Sequence, residues 1–108
     1  MSHHGLGEFE HFVLLSILRL GEDVYGVPTA EEIMERTGRT VSRTAVYVTI
    51  RRLEKKGLIT SWMGGPTPER GGKARRYVKL APAGLEALRE SRIAIDEMWR
   101  GVPIPEAQ

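Results

Sequence analysis

Residues 39–64, RTVSRTAVYVTIRRLEKKGLITSWMG, contain the features that decide the fold. Ser42 is a favourable N-cap for a helix, and Gly57 is a favourable C-terminal stop. Between them, apolar residues recur at spacings of four and three and so form one buried stripe. These residues are Val46, Ile50 and Leu53. The stretch therefore predicts a helix with one apolar and one polar side, followed directly by a β-strand.

Two more helices are predicted upstream of this stretch. The first covers residues 7–20, and the second covers residues 29–37, where Thr29 and Glu32 form a capping box at the helix start. Residues 38–41 join the second and third helices, a short connection typical of a helix-turn-helix. The pattern thus predicts three consecutive helices, the third of which has an exposed polar side.

A β-hairpin and a last helix are predicted downstream. The two strands cover residues 59–63 and 74–80, and the loop between them is rich in glycine and proline. The last helix begins at Pro82, because proline suits the first turn of a helix, and it ends at Gly101. We therefore predict a mainly α fold with a small β-hairpin.

The predicted elements divide the chain into three parts. We predict that residues 1–81 form a winged helix-turn-helix domain of the kind that binds DNA, in which the hairpin is the wing. Residues 82–102 are predicted to form a C-terminal dimerisation helix, and residues 103–108 a disordered tail. A domain within a chain of 108 residues has a thin core. A partner subunit often supplies the missing burial in such small domains, and a homodimer is expected.

The formal net charge of +2 hides an uneven distribution. Residues 39–80 hold eleven Lys or Arg and two Glu, a net charge of +9, and the rest of the chain carries −7. A basic block flanked by acidic ends is typical of a protein that binds a polyanion. A solvated surface without a partner is the simpler alternative, but the block coincides with the third helix and the hairpin, which favours binding.

Composition argues against several other function classes. The chain has no cysteine, which excludes disulfides, thiolate catalysis and Cys-based zinc sites. No apolar run approaches the roughly 20 residues of a membrane span. Residues 1–5 lack the pattern of a signal peptide, so a cytoplasmic location is expected. We also expect no cofactor, no metal and no membrane partner.

An enzyme matches the sequence poorly. His3, His4 and His11 are the only histidines, and no Ser–His–Asp order or pair of acids on one helix face is present. The Gly-Gly-Lys run at residues 71–73 is followed by a predicted strand, whereas a phosphate-binding loop is followed by a helix. We therefore expect no catalytic residues.

The polar side of the third helix carries residues suited to DNA. The N-terminal end of a recognition helix meets base edges in the major groove, where Arg pairs with guanine and Thr offers a hydroxyl and a methyl group. Cations in later turns suit phosphate contact, beyond what the helix dipole requires. The residues expected to contact DNA here are Ser42, Arg43, Thr44, Tyr47, Arg51 and Lys55.

Three neighbours on this helix have their own expected roles. For Tyr47, two interpretations stay open: a phosphate contact that positions the helix, and a ring that closes the core. Lys56 belongs to the same cluster of cations, so phosphate contact is expected for it as well. Glu54 lies among these cations and is expected to pair locally with a Lys or Arg.

The hairpin supplies a second group of cations. Arg70 and Lys73 lie in the glycine-rich loop, where the backbone can approach a phosphate or the minor groove, although a mobile surface loop is the alternative. Arg75 and Arg76 are neighbours on a strand and face opposite sides, so we expect only one of them to face DNA. Trp62 is expected to pack against the third helix.

The last helix is the candidate dimerisation element. Its apolar residues form two adjacent stripes, which together are wide enough to pack on two surfaces. The residues assigned to the dimer contact are Leu85, Leu88, Ile95, Met98 and Trp99. For Met98 and Trp99, a small pocket is the alternative to a subunit interface.

Several segments together resemble the PadR family of bacterial transcriptional regulators. The resemblance covers Phe9 to about Leu88, and it rests on the order and spacing of the pieces more than on any one of them. The matching segments are Tyr25-Gly26, residues 41–47, residues 52–59, the run RGGKARRY at residues 70–77, and PAGL at residues 82–85.

The resemblance implies a winged helix-turn-helix and a homodimer built by the C-terminal helix. It also implies repression from palindromic operators. Many relatives respond to phenolic acids or flat hydrophobic drugs near the dimer interface, which makes a small aromatic effector an expected partner.

The sequence departs from the family pattern at several positions. Arg43 and Thr44 replace small residues before Tyr47, and Ala81 replaces a capping Thr. Val48 stands where many relatives have Pro, and Val78 stands where a second aromatic residue is common.

Two binding functions other than binding of double-stranded DNA match the sequence less well. A winged-helix adaptor that binds only protein is disfavoured by the +9 segment, because protein interfaces are depleted in Lys. RNA-binding modules usually present aromatic stacking platforms, and only Tyr47 and Tyr77 are placed for such a role.

Overall fold

The computed structural model describes residues 5–64 and 75–105, and within them the chain forms helices packed around a short hairpin. This architecture confirms the predicted mainly α fold with a two-stranded hairpin. The elements are α1 (Glu8–Leu20), α2 (Gly26–Thr37), α3 (Arg43–Lys55), β1 (Ile59–Gly64), β2 (Arg75–Leu80) and α4 (Pro82–Trp99).

One apolar core lies among the first three helices and the inner face of the hairpin. The predicted stripe of α3 is confirmed, because its members are at most 3% exposed. Burial of such side chains supplies most of the stability of a small helical domain. The main contributors are Val13, Leu14 and Ile17 of α1, Ile33 of α2, Val46, Ile50 and Leu53 of α3, and Ile59 and Val78 of the hairpin.

The ends of α3 follow the predicted caps. The Ser42 hydroxyl accepts a hydrogen bond from the Ala45 amide at 3.0 Å, which satisfies a donor that the helix leaves free. At the other end Gly57 adopts a positive φ of 77°, and the Leu58 amide donates to the Leu53 carbonyl at 3.0 Å. This ending turns the chain sharply into β1.

The predicted start of α2 is wrong. The helix begins at Gly26, three residues before Thr29, and Tyr25 is the N-cap. The Thr29 hydroxyl is buried and donates to the Tyr25 carbonyl at 2.8 Å, so Thr29 forms no capping box with Glu32. Pro28 lies in the first turn, where an amide hydrogen has no helical partner and its loss costs little.

The hairpin pairs β1 with β2 in antiparallel register, with Ser61 opposite Val78 and Trp62 opposite Tyr77. Val24 forms an isolated β-bridge to Val78, on the edge of β2 that does not pair with β1. The expectation that Trp62 packs on α3 is wrong: its ring is half-exposed and stacks on Tyr77, with ring centroids 6.0 Å apart. Alternation along a strand places Trp62 on the face opposite Ile59, which points into the core.

The helix α4 changes character along its length. Its first half packs on α1 and the hairpin, where Gly84 lies so close to β1 that an added Cβ would be 2.1 Å from the Leu58 carbonyl oxygen. Ala81 gives the helix no side-chain cap, consistent with the departure from the family pattern. From residue 92 to residue 99 every side chain of α4 is exposed. The helix therefore extends beyond the core.

The predicted loop and tail lie largely outside the described residues. The positions of Arg70 and Lys73 fall in residues 65–74, which the structure does not describe. Of the predicted tail, residues 103–105 form no regular element, and residues 106–108 are outside the described part.

Candidate nucleic-acid interface

The outer face of α3 exposes the polar residues that the sequence singled out. Arg43, Tyr47, Arg51 and Lys55 follow one another at intervals of four, so they form one row along the helix, and Thr44 lies beside the row. All five side chains are exposed. We call these five residues the α3 face. Its N-terminal end lies beyond the Ser42 cap and is open to solvent.

Tyr47 does not close the core. Its side chain is 48% exposed, and Arg51 donates a hydrogen bond to its hydroxyl at 3.3 Å. The Arg51 guanidinium also lies 5.7 Å from the centre of the Tyr47 ring, within the range of a cation–π contact. The ring therefore holds the arginine head group along the outer face of the helix, where it remains accessible.

The later turns of α3 border an open groove. It is lined by Val48, Arg51, Arg52, Glu54 and Lys55, four of which carry a charge. Three of the four charges are positive, so the groove is suited to an anion such as a phosphate group.

Lys56 is paired within the fold, which argues against the phosphate contact expected for it. Its ammonium group donates to the carboxylate of Glu10 at 2.9 Å, and Glu10 is only 7% exposed. Burial raises the pKa of Glu10, but the hydrogen bonds from Lys56 and the Gly7 amide, together with the positive charges of Lys56 and Arg52, outweigh burial and leave the pKa below its ordinary value. Lys56 thus joins the end of α3 to the start of α1.

Arg75 is the first residue of β2, at the loop end of the hairpin that forms the wing, and it lies on the outer face of that hairpin. Its guanidinium carbon is 3.9 Å from the centre of the Tyr25 ring. Tyr25 meets Tyr77 edge-on at 6.1 Å, and Tyr77 stacks on Trp62. This row of rings joins the start of α2 to both strands of the hairpin. No local pattern indicates this role for Tyr25, because the contact joins two segments that are distant in the chain.

Arg76 faces the other side of the strand, as alternation predicts. It donates to the Ser61 hydroxyl at 2.5 Å, and its guanidinium is 3.8 Å from the Glu54 carboxylate. The expectation that Glu54 pairs locally is therefore wrong, since its partners come from the hairpin: Ser61 donates to it at 2.5 Å. The two wing arginines are thus held by different neighbours on opposite faces.

Most of the assigned dimer residues lie on the exposed part of α4. Met98 is 80% and Trp99 54% exposed, and Ile95 and Leu85 are also exposed. The assignment of Leu88 to the dimer contact is wrong. Leu88 is 5% exposed and belongs to the core of its own chain, so its side chain is not available to a partner. Its spacing alone could not reveal this, because a helix that packs on two surfaces has two apolar faces.

The end of α4 carries an apolar groove of about 400 Å³. Ala94, Ile95, Met98, Trp99 and Val102 line it, and we call these residues the α4 groove. The dimer assignment omitted Ile93 and Ile104, which are also exposed nearby in the chain. Neither follows the helical spacing of the predicted stripe, so periodicity could not have identified them.

A hydrogen bond joins the start of the fold to α4. His11 Nδ1 lies 3.0 Å from the Ser91 hydroxyl oxygen. Burial lowers the pKa of His11 below its ordinary value, because the charged imidazolium loses solvation there.

The described part of the chain contains neither a metal-binding cluster nor a helix that could span a membrane. Residues 5–64 and 75–105 contain no cluster of His, Cys, Asp or Glu that could hold a metal ion. Among the helices in these ranges, none has the length and apolar content needed to cross a bilayer.

Comparison with known proteins relates this chain to one family of regulators. The family model described as the transcriptional regulator PadR-like family matches residues 14–90. The transcriptional regulator Rv3488 of Mycobacterium tuberculosis is 38% identical over 92 residues, which cover 83% of this chain and 81% of the relative. The match includes α3 and most of the packed half of α4.

Two solved structures show the same fold. A PadR family transcriptional regulator from Eggerthella lenta is 28% identical and superimposes with a TM-score of 0.68, covering 88% of this chain and 82% of that one. A PadR family regulator from Clostridium difficile, at 22% identity, gives a TM-score of 0.69 and covers 86% and 95% of the two chains. The extent of these matches leads to one conclusion: the chain belongs to the PadR-like family of transcriptional regulators.

Proposed function

We propose that this transcriptional regulator is a homodimeric repressor that binds a palindromic operator in duplex DNA. One observation carries the proposal: the α3 face, a row of cations and hydroxyls on a Ser-capped helix, is exposed beside a hairpin that also carries arginines. A helix and an adjoining hairpin in this arrangement suit the major groove and the neighbouring backbone. Because the proposed target is DNA and the relatives reported above are bacterial, the proposed site of action is the cytoplasm.

The proposed contacts divide into two kinds. Arg43 and Thr44, in the first turn of α3, contact base edges, where Arg discriminates best for guanine. Contacts to the phosphate backbone position the helix and carry little sequence information. We assign these contacts to Ser42, Tyr47, Arg51, Lys55, the loop residues Arg70 and Lys73, and one of the two arginines Arg75 and Arg76.

Dimerisation is assigned to the exposed part of α4. Ile95, Met98 and Trp99 form a continuous apolar surface that is exposed near the end of the helix. A second copy of the chain supplies a matching surface, because a two-fold contact is self-complementary. Leu85 lies apart, in a groove between α1 and the start of α4. Two-fold symmetry in the protein then implies a palindromic operator.

Release by an effector is the least direct part of the proposal. The α4 groove is apolar, includes Trp99, and has a volume of about 400 Å³, which suits one small flat aromatic molecule. An effector bound there changes the packing of the two copies and thereby the distance between the two α3 helices. This is the physical link between ligand and operator that repression and its release require.

A salt titration tests the DNA-binding part. We expect fluorescence anisotropy to show binding to genomic duplex fragments that weakens steeply as salt rises, because each phosphate contact releases counterions. Arg51→Ala should lower the slope of log K against log salt by about one, and Arg89→Ala, an exposed arginine of α4, should leave it unchanged. Binding that is absent or independent of salt would contradict the proposal.

Base recognition is tested separately. Selection from random duplex DNA should return a palindromic preference for the native protein, and Arg43→Ala should relax that preference at one position per half-site. The expected cost is about 1–3 kcal/mol at the preferred base and little at other bases. Lys55→Ala serves as the control, because loss of a phosphate contact should weaken all sequences alike.

A winged-helix adaptor that binds only protein remains the competing function. The same titration separates the two, since an adaptor has no reason to bind DNA with a steep dependence on salt.

A further inference from the structure

Three polar side chains connect α3 to both strands of the hairpin. The Ser61 hydroxyl donates to the Glu54 carboxylate at 2.5 Å and accepts from the Arg76 guanidinium at the same distance. The third side of the triangle, from Arg76 to Glu54, measures 3.8 Å. One residue comes from the last turn of α3, one from β1 and one from β2.

The pairing of the strands fixes this arrangement. Ser61 is opposite Val78, so Arg76, two residues before Val78, is its diagonal neighbour on the same face of the hairpin. That face is the one that Ile59 and Val78 turn toward the core. Arg76 therefore lies on the inner face, just beyond the apolar core. Its side chain could move to the outer face only if the register of the two strands shifted.

This contact matters less for the stability of the fold than for the elements that it joins. Exposed ion pairs contribute little to stability, and the side chains of Arg76 and Glu54 are 45% and 37% exposed. The contact does, however, join two elements that the proposed function places on DNA. The wing must lie along the backbone while α3 lies in the groove, and a small error in their relative position weakens both contacts.

We propose that Glu54, Ser61 and Arg76 form a brace that sets the position of the wing relative to α3, and that Arg76 affects DNA binding through this brace and not by contact with phosphate. The inference rests on the proposed DNA binding, and it assigns the wing contact of the arginine pair to Arg75. Arg76 is thus a positioning residue, and its positive charge is partly balanced by Glu54.

Substitution of Glu54 gives the sharpest test, because the two interpretations predict opposite signs. Removing a carboxylate near DNA strengthens binding if charge alone matters. The brace predicts the reverse: Glu54→Gln should weaken binding by about three- to tenfold, because the neutral amide cannot form the ion pair with Arg76 and accepts weaker hydrogen bonds. Glu22→Gln, an exposed carboxylate in the connection after α1, is the matched control and should change affinity little.

The salt slope provides the second readout. Affinity is measured by anisotropy on the duplex that selection recovers from random-sequence DNA, at several salt concentrations. Arg76→Ala and the milder Ser61→Ala should lower affinity with the slope unchanged, whereas Arg51→Ala should lower the slope by about one. Arg76→Glu alone should weaken binding. Combining it with Glu54→Arg, which exchanges the pair, should restore affinity to within about threefold of the native protein.

Thermal melting by circular dichroism accompanies each variant, so that loss of folding is separated from loss of positioning. A native protein that binds no duplex contradicts the proposed function itself. If the native protein binds, three results overturn the brace alone: tighter or unchanged binding by Glu54→Gln, a slope lowered by Arg76→Ala, or no recovery in the exchanged pair.

Discussion

The α3 face and the exposed part of α4 are both open to solvent, but they differ in chemistry. The first carries cations and hydroxyls, which water solvates well, and the second carries Ile95, Met98 and Trp99, which water solvates poorly. A polyanion on the α3 face displaces counterions, so salt weakens that contact. Apolar burial on α4 is not weakened by salt in this way. The same chain thus carries two exposed surfaces whose contacts respond differently to salt.

The largest effect is expected from placing a charge in the apolar surface. Met98→Glu should weaken the proposed dimer by about 100-fold, because a carboxylate loses solvation in an apolar contact without gaining a partner. Sedimentation equilibrium gives the dissociation constant. Met63→Glu is the control, since Met63 is a similarly exposed apolar residue on β1. A native protein that is already a monomer at micromolar concentration would contradict the assignment of this surface.

A second experiment separates the cations of the fold from those of the α3 face. Lys56→Ala should lower the free energy of unfolding by about 2 kcal/mol, because it leaves the Glu10 carboxylate buried without its ion-pair partner. Lys55→Ala, one residue earlier and exposed, should cost less than about 0.5 kcal/mol. Urea denaturation measures both. Equal costs for the two variants would show that the ion pair does not stabilise the fold.

The pH dependence of this pair has a defined sign. The folded state holds the pKa of Glu10 below its ordinary value of 4.5, so the unfolded state binds a proton first as the solution is acidified. The stabilisation is therefore present above about pH 4.5 and is lost as the pH falls through the lowered value. The difference between native protein and Lys56→Ala should shrink over the same range.

The smallest effect is expected at His11, where α1 meets α4. Its folded pKa lies below the ordinary value of 6.5, so the unfolded state takes up a proton first as the pH falls. Stability should be complete above about pH 6.5 and should decrease below it. The effect should be less than about 1 kcal/mol because solvent screens a partly exposed site. Urea denaturation between pH 5 and 7 should show a flatter dependence of the unfolding free energy on pH for His11→Gln. An unaltered dependence would show that His11 is not its source.

The core of the fold could be predicted because its signals are local. The stripe of α3, the Ser42 cap and the turn at Gly57 depend on residues within a few positions of one another, and the structure agrees with all three. The start of α2 was mispredicted at Thr29 for the opposite reason. Its hydroxyl bonds back to Tyr25, and the chain before it is held by the bridge from Val24 to a distant strand.

The candidate site shows the same division. The α3 face follows from helical spacing alone, because residues four apart share a side. The contacts of Lys56, Arg76 and Leu88 do not follow from spacing, since each depends on a neighbour that is distant in the chain. Lys56 pairs with Glu10 of α1, Arg76 bonds to Ser61 of β1, and Leu88 joins the core formed by the earlier helices.

By itself, the sequence determined the order of the elements, the exposed cationic side of the third helix and the apolar character of the last one. Periodicity, caps and charge are properties of neighbouring residues, which the order of amino acids records directly. Only the tertiary structure decided which cations are free and which are paired, and which apolar residues of α4 belong to the core. Those outcomes depend on long-range contacts that folding brings together, and no local pattern in the chain encodes them.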